Sequence, residues 1–370
     1  MEVTQKKFDP AMAYTATPLP PARWSSYDET PFELEGFAFR KAGEPLRRLP
    51  ESRPECAFSE AVDVYANHSA GGVLRFRSDS PFVAVRATVT CHNNSADIMS
   101  IGRSGFDLYM DGAFIAVTRK NYDELSFPPH SFSGVLTLPE EPERKMHEFE
   151  LYFPLYARVD FFEIGVAPSA RVEPPRPRRN PSPVVFYGTS IIHGCCASRP
   201  GLTETAQLAR LLDRPVLNFG FAGSAKGEPE LAETLARVEN PALFLLDYDA
   251  NVDLDRLEQT LPRFTDILRE RHPAVPIVTI SQLRIPAERE EGAATRLRRS
   301  AIHRANCERR RAMGIPPCTS STGSTCSENP SRSASSTRFT PTTSAFSGCR
   351  RSSPHFCAET GWPDAPRQRS

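Results

Sequence analysis

The stretch VVFYGTSIIHGCCASRPG (residues 184–201) sets the reading of the whole chain. Val184 to Gly188 form an unbroken β-branched and aromatic run, the pattern of a strand buried on both faces. Thr189 and Ser190 end that run and lead into Ile191-Ile192, a strand-to-helix turn. The same texture recurs downstream. Leu202 to Asp213 has apolar residues at helical spacing, PVLNFG (215–220) is a second strand, and Glu228 to Glu239 is a helix. ALFLLDYD (242–249), Leu254 to Arg271 and PIVTI (276–280) then supply strand, helix and strand. Apolar strands joined by helices predict a parallel α/β sheet, whose ligands bind at the carboxyl ends of the strands.

Three of those ends carry chemistry. Ser190 follows the first strand, Gly223 lies in the glycine-rich NFGFAGS (218–224) after the second, and Asn251 closes LDYDAN (246–251) after the third. Each has a plain structural alternative: serine caps helices, glycine makes tight turns and asparagine favours turns. Taken together they offer a hydroxyl and two kinds of hydrogen-bond donor at one edge. Acyl transfer needs this set, because the hydroxyl attacks a carbonyl whose oxygen becomes negative and must be surrounded by donors.

Upstream, residues 34–168 break into short apolar stretches, several alternating with period two, as in Val73 to Arg77 and Glu148 to Phe153. Such half-buried strands predict an antiparallel β-sandwich. The proline- and arginine-rich SARVEPPRPRRNPSP that follows reads as a solvated domain linker. Lys plus Arg equals Asp plus Glu at 45 each, so no net field recruits nucleic acid or an anionic membrane. The expected partner is a small, weakly charged molecule. The opening residues lack the apolar core of a signal peptide, which places the expected location in the cytoplasm. Nine cysteines with no secretion signal are expected to be free thiols.

The order GTSI, NFGFAGSAKGEPE, LDYDAN resembles blocks I to III of the SGNH/GDSL hydrolases, with Ser190, Gly223 and Asn251 at the matching positions. CCASRPG (195–201) and Gly105-Phe106-Asp107-Leu108-Tyr109 resemble the subfamily with an N-terminal G-x-D-L-Y β-sandwich. The resemblance, spanning roughly residues 30–314, implies a jelly-roll-like sandwich before a flavodoxin-like α/β/α domain, and a serine esterase with Ser190 as nucleophile. Gly223 and Asn251 would form its oxyanion hole. It implies no metal or other cofactor. The units expected are an extension (1–33), the sandwich (34–168), a linker (169–182), the hydrolase domain (183–314) and a disordered tail (315–370).

The family's D-x-x-H-P loop, which supplies the general base and its orienting aspartate, has no match in this sequence. His272 precedes the strand PIVTI and so falls at the wrong edge; His193, one turn past Ser190, reads as packing; His303 and His355 lie in an arginine-rich helix and in the tail. The sheet is therefore expected to lack its last strand and its catalytic loop. After Met313 the periodicity vanishes into Ser, Thr, Pro and Cys. Reading each codon from the third base of one printed residue into the first two of the next, Phe339 to Cys349 can encode H-P-N-D-L-G-F-F-R-M, and Ser336-Thr337 can supply the aspartate. Pro317 to Gly323 can become V-Y-F-I-D-G, a last strand. A frameshift near Gly314 is the economical explanation. The competing expectation is a carbohydrate-binding or catalytically dead protein, with Tyr109, Tyr122, Phe132 and Tyr156 as candidate sugar-facing aromatics and Asp107 as a turn or interface residue.

Overall fold

A computed structural model describes residues 18–54, 57–91, 98–118, 129–282, 290–312 and 318–321. The N-terminal half contains β1 (Arg23–Ser25), β2 (Glu33–Glu35), α1 (Glu60–Ala66), β3 (Val73–Ser78), β4 (Phe82–Cys91), α2 (Ser100–Ser104), β5 (Asp107–Met110), β6 (Ala113–Val117), β7 (His130–Thr137), β8 (His147–Tyr152), β9 (Ala157–Val166) and β10 (Val172–Glu173). One antiparallel sheet runs β1-β9-β4-β7; the other runs β10-β3-β8-β5-β6, with β2 also on β3. Their facing residues, among them Leu74, Phe76, Phe149 and Leu151 against Val83, Val85, Phe162 and Ile164, form one apolar core. This is the expected sandwich. Its limits are wider than read, since β1 lies in the segment taken for an extension and β10 in the segment taken for a linker.

The C-terminal half contains β11 (Val184–Gly188), α3 (Ser190–His193), α4 (Glu204–Leu212), β12 (Val216–Gly220), α5 (Pro229–Leu235), β13 (Leu243–Asp247), α6 (Leu254–Arg271), β14 (Ile277–Ile280), α7 (Glu290–Ala312) and β15 (Cys318–Ser321). All pairs in the sheet are parallel, in the order β12-β11-β13-β14-β15. Successive residues of each strand serve opposite faces. Val184 and Phe186 pack with α3 and α4, whereas Val185 and Tyr187 pack with α5 and α6.

β15 corrects one expectation: the sheet does have a fifth strand, paired with β14 from Ile277↔Cys318 to Ile280↔Ser321. A ladder needs only main-chain donors and acceptors, so the polar run Cys-Thr-Ser-Ser can fill an edge position without apolar periodicity. The loop that would carry the base lies outside the described residues.

The outer face of the second sandwich sheet corrects another. Arg75 and Glu150 alternate with core residues as though facing water, yet they are 3% and 8% exposed. Glu35 and Glu150 each bind Arg178 at 2.9 Å, and Arg178 reaches on to Asp213 at the end of α4. The linker is thus not uniformly solvated: Arg178 is a buried cross-brace between the two halves. Val73, Tyr109 and Tyr152 pack on Ala206 of α4 beside it.

A further join is at the sheet edge β12. Arg48, fully buried, donates from Nη1 to the carbonyls of Asn218 and Gly220 at 2.9 Å each, and from Nη2 to Tyr65 O at 2.6 Å. Burial pulls its pKa down to about 9, so the guanidinium is still charged at neutral pH. α1 brings Val62 and Ala66 into the hydrolase core. That helix forms inside a region read as strands because Ser59 caps it, accepting from Val62 N, and Glu60 sits in its first turn. Replacing Arg48 by methionine leaves two buried strand-end carbonyls without a donor. The expected loss is about 3–5 kcal/mol of stability, read as a lowered denaturant midpoint for the whole chain; an unchanged midpoint would remove Arg48 from this role.

Candidate active site

Ser190 stands where β11 passes into α3. The capping role belongs to its neighbour: Thr189 Oγ1 accepts from Ile191 N, and Thr189 N donates to Asp247 O at 3.0 Å. Ser190 is partly exposed, and among the described residues its hydroxyl has no hydrogen-bond partner. Its carbonyl, by contrast, accepts from Gly194 N, Cys195 N and Tyr156 Oη at 3.0, 2.8 and 3.3 Å. The main chain of the serine is pinned while its side chain is left available.

Gly188, Gly220 and Asp247 lie level in the sheet, so the segments that follow them emerge together. Phe221 N donates to Gly188 O at 2.9 Å and docks the second loop on the first strand. Within that loop Gly223 is exposed, with φ of +66° and open space where a side chain would stand. Glycine is needed there for the backbone angle rather than for room. Asn251 Nδ2 donates to Ala225 O at 3.1 Å, tying the third loop to the second. Its second hydrogen has only a 3.5 Å contact to Phe221 O, at the limit of a useful bond. The loops that carry the three residues named from the sequence thus leave level strand ends, the second tied to the first strand by Phe221 N and the third to the second by Asn251 Nδ2.

The histidines are engaged elsewhere. His193 is fully buried, stacked on Tyr156 at 4.0 Å between centroids, with Nε2 3.2 Å from Nδ1 of His68. Burial, with Arg48 and His68 close by, holds its pKa well below the ordinary histidine value. His272 Nε2 bonds Ala236 O at 2.9 Å, and His303 Nε2 lies 3.3 Å from Asp249. His355 lies outside the described residues.

Sequence reading missed two carboxyl groups behind this edge. Burial raises Glu204 to about 7, and burial together with Glu204 and Asp249 lifts Asp247 well above the carboxylate range. Neither belongs to a recognisable motif; the only signal was a charged residue ending the apolar run of β13. Because the folded pKa of Glu204 exceeds its unfolded value, ionisation costs stability as pH rises from about 4.5 toward 7. Glu204→Gln should therefore be more stable than the parent at pH 8 and lose that advantage at pH 5, as followed by thermal melts; an equal difference at both values would contradict the assignment.

The G-x-D-L-Y motif grips the segment that follows α3. Asp107 Oδ2 accepts from Gly201 N at 2.8 Å and Arg199 Nη1 at 2.9 Å. Tyr109 Oη accepts from Arg199 at 2.6 Å and donates to Gly201 O at 3.2 Å, while Arg210 lies over its ring. A side chain at Gly201 would meet the Tyr109 ring at 2.3 Å, and one at Gly105 would meet Ile101 O at 2.4 Å. Tyr109 and Tyr156 are thus buried at the join and are not open sugar platforms; Phe132 packs on the sandwich core, and Tyr122 lies outside the described residues. Asp107→Asn leaves Arg199 without its counter-charge and should cost about 3 kcal/mol, with faster proteolytic cleavage within 195–203. Unchanged stability would show the motif to be dispensable.

These features coincide with what comparison finds. The GDSL-like lipase/acylhydrolase family matches residues 181–305, and the GxDLY N-terminus of SGNH-hydrolase-type esterases matches residues 22–172. The chain belongs to the SGNH/GDSL hydrolases, enzymes acting on ester bonds. Among solved structures it is similar to a GDSL-like lipase from Bacteroides ovatus, at 23% identity and a TM-score of 0.77 over 91% of this chain and 98% of that one. It is similar also to a salicylyl-acyltransferase from a tetracycline biosynthetic pathway, at 20% identity and 0.70 over 93% and 99%. A family two carbohydrate esterase from Cellvibrio japonicus follows at 13% and 0.56 over 92% and 99%. A search of curated proteins finds no match. Among the described residues no helix is long and apolar enough to cross a membrane.

Proposed function

We propose that the chain is a serine acylhydrolase that cleaves an acyl ester, of the acetyl class, from a small molecule or carbohydrate in the cytoplasm. The observation that carries this reading is the hydroxyl of Ser190, which has no hydrogen-bond partner among the described residues, is relieved of capping by Thr189, and stands at the sheet edge from which the loops of Gly223 and Asn251 also emerge. Ser190 Oγ attacks the ester carbon and gives up its proton to a base. Gly223 N–H and the Nδ2 hydrogen of Asn251 that makes only the 3.5 Å contact to Phe221 O hold the oxygen that becomes negative, each contributing about 3–4 kcal/mol to the transition state. Collapse expels the alcohol, protonated by the same base, and water then frees the acyl group from Ser190.

The base is the missing part. No described histidine bonds Ser190, and the alternative frame of the tail can encode D-x-x-H-P. The backbone strand at Cys318–Ser321 falls where that frame reads V-Y-F-I, which supports one displaced frame from near Gly314 onward. The names of the similar structures, carbohydrate esterases and an acyltransferase among them, fit an ester of a polyhydroxylated or phenolic partner.

The nucleotide sequence across codons 312–318 tests the displaced frame directly, and absence of D-x-x-H-P from every frame would refute it. The printed chain should hydrolyse p-nitrophenyl acetate about a million-fold more slowly than the frame-restored chain, as expected when a triad lacks its base. In the restored chain Ser190→Ala should abolish turnover, and Asn251→Ala should lower kcat about 100- to 1,000-fold. Full activity of the restored Ser190→Ala variant would end the reading.

A further inference from the structure

The segment just past the nucleophile helix contains two adjacent cysteines that the esterase chemistry does not use. Gly194 has φ of +111° and Cys196 φ of +64°, so the chain turns through two left-handed positions, the second at a residue that adopts that region rarely. The turn is anchored by Cys195 N on Ser190 O at 2.8 Å and Ala197 N on Gly194 O at 3.2 Å. Neighbouring side chains of an extended strand point apart. Here the two Sγ atoms come to 3.3 Å. Neither cysteine is in a disulfide, both are half-buried, and Cys195 packs on the cluster of Leu155 and Tyr156.

That separation is too long for a disulfide of about 2.05 Å, and adjacent Cα atoms about 3.8 Å apart fall below the usual disulfide span of about 4.4–6.8 Å. It does suit one bridging atom. With bonds of about 2.3 Å, the length of a metal–thiolate bond, a 3.3 Å bite subtends roughly 90° at the bridge. Tetrahedral zinc wants a wider bite and more ligands, and among the described residues no group of three or more His, Cys, Asp or Glu could hold a metal ion. A trivalent centre bonding through p orbitals wants two soft thiolates at close to a right angle.

The geometry points to Cys195 and Cys196 as a chelating dithiol site for trivalent arsenicals of the arsonous class, R–As(OH)2. Two As–O bonds break and two As–S bonds form; the two thiol protons leave with the hydroxyl groups as two waters, and arsenic keeps its oxidation state. The site is independent of the esterase reading.

The test treats the full reduced chain with one equivalent of phenylarsonous acid, followed by a wash with excess monothiol and peptide mass mapping. The wild type should retain one phenylarsenic group on the peptide carrying Cys195 and Cys196, released by ethanedithiol. Cys195→Ser and Cys196→Ser should each lose it in the wash, while Cys91→Ser and Ser190→Ala should keep it, with melting curves confirming that all four fold. Retention in Cys196→Ser, or an adduct mapping to other cysteines in the wild type, would overturn the site. Loss in Ser190→Ala would overturn its independence.

Discussion

Two carbonyls at the end of an edge strand, those of Asn218 and Gly220, accept from a guanidinium that belongs to the other half of the chain. A parallel sheet whose edge is buried must have that edge paired or capped, since main-chain groups out of water cost heavily when unpartnered. Arg48 does this while lying over the ring of Phe221, the residue that opens the loop of Gly223. The edge of the hydrolase sheet is therefore capped by a segment of the sandwich half, between β2 and β3. One bound cation links the stability of the edge to the placement of a loop in the site.

The same dependence recurs around α4 and the turn that follows Ser190. Asp107 and Tyr109 hold Arg199 and Gly201, a few residues beyond Ser190, and Tyr156 holds the Ser190 carbonyl. Arg178 fastens Glu35 and Glu150 of the sandwich to Asp213. Such buried ion pairs add little net stability but specify one docking, because any misplaced arrangement leaves a charge desolvated. The sandwich thus acts as a mould around the turn at Ser190. The sheet supplies level strand ends, and the mould sets what stands on them.

Much of this was legible from periodicity. The unbroken runs at Val184–Gly188 and Leu243–Asp247 are buried on both faces, so composition alone marks them, and the amphipathic spacing of Leu254–Arg271 marks α6. The sandwich strands showed their period but not their surroundings: alternation cannot distinguish water from a polar domain interface, which is why Arg75, Glu150 and Arg178 read as exposed. α1 was too short, and β15 too polar, to show against their neighbours. At the site, Ser190, Gly223 and Asn251 stood out because each ends a strand. The capping by Thr189, the grip of Asp107 on Gly201 and the raised carboxyls of Glu204 and Asp247 arise from contacts between distant segments, which one-dimensional spacing does not carry.

The proposed chemistry requires a single point in space within reach of the Ser190 hydroxyl, the Gly223 amide and the Asn251 carboxamide. Its most direct test is the crystal structure of the frame-restored chain carrying a phosphonate covalently bound to Ser190. The phosphonyl oxygen is predicted to lie within about 3 Å of both Gly223 N and Asn251 Nδ2. An oxygen that contacts neither donor, with Ser190 turned away from both loops, would contradict it.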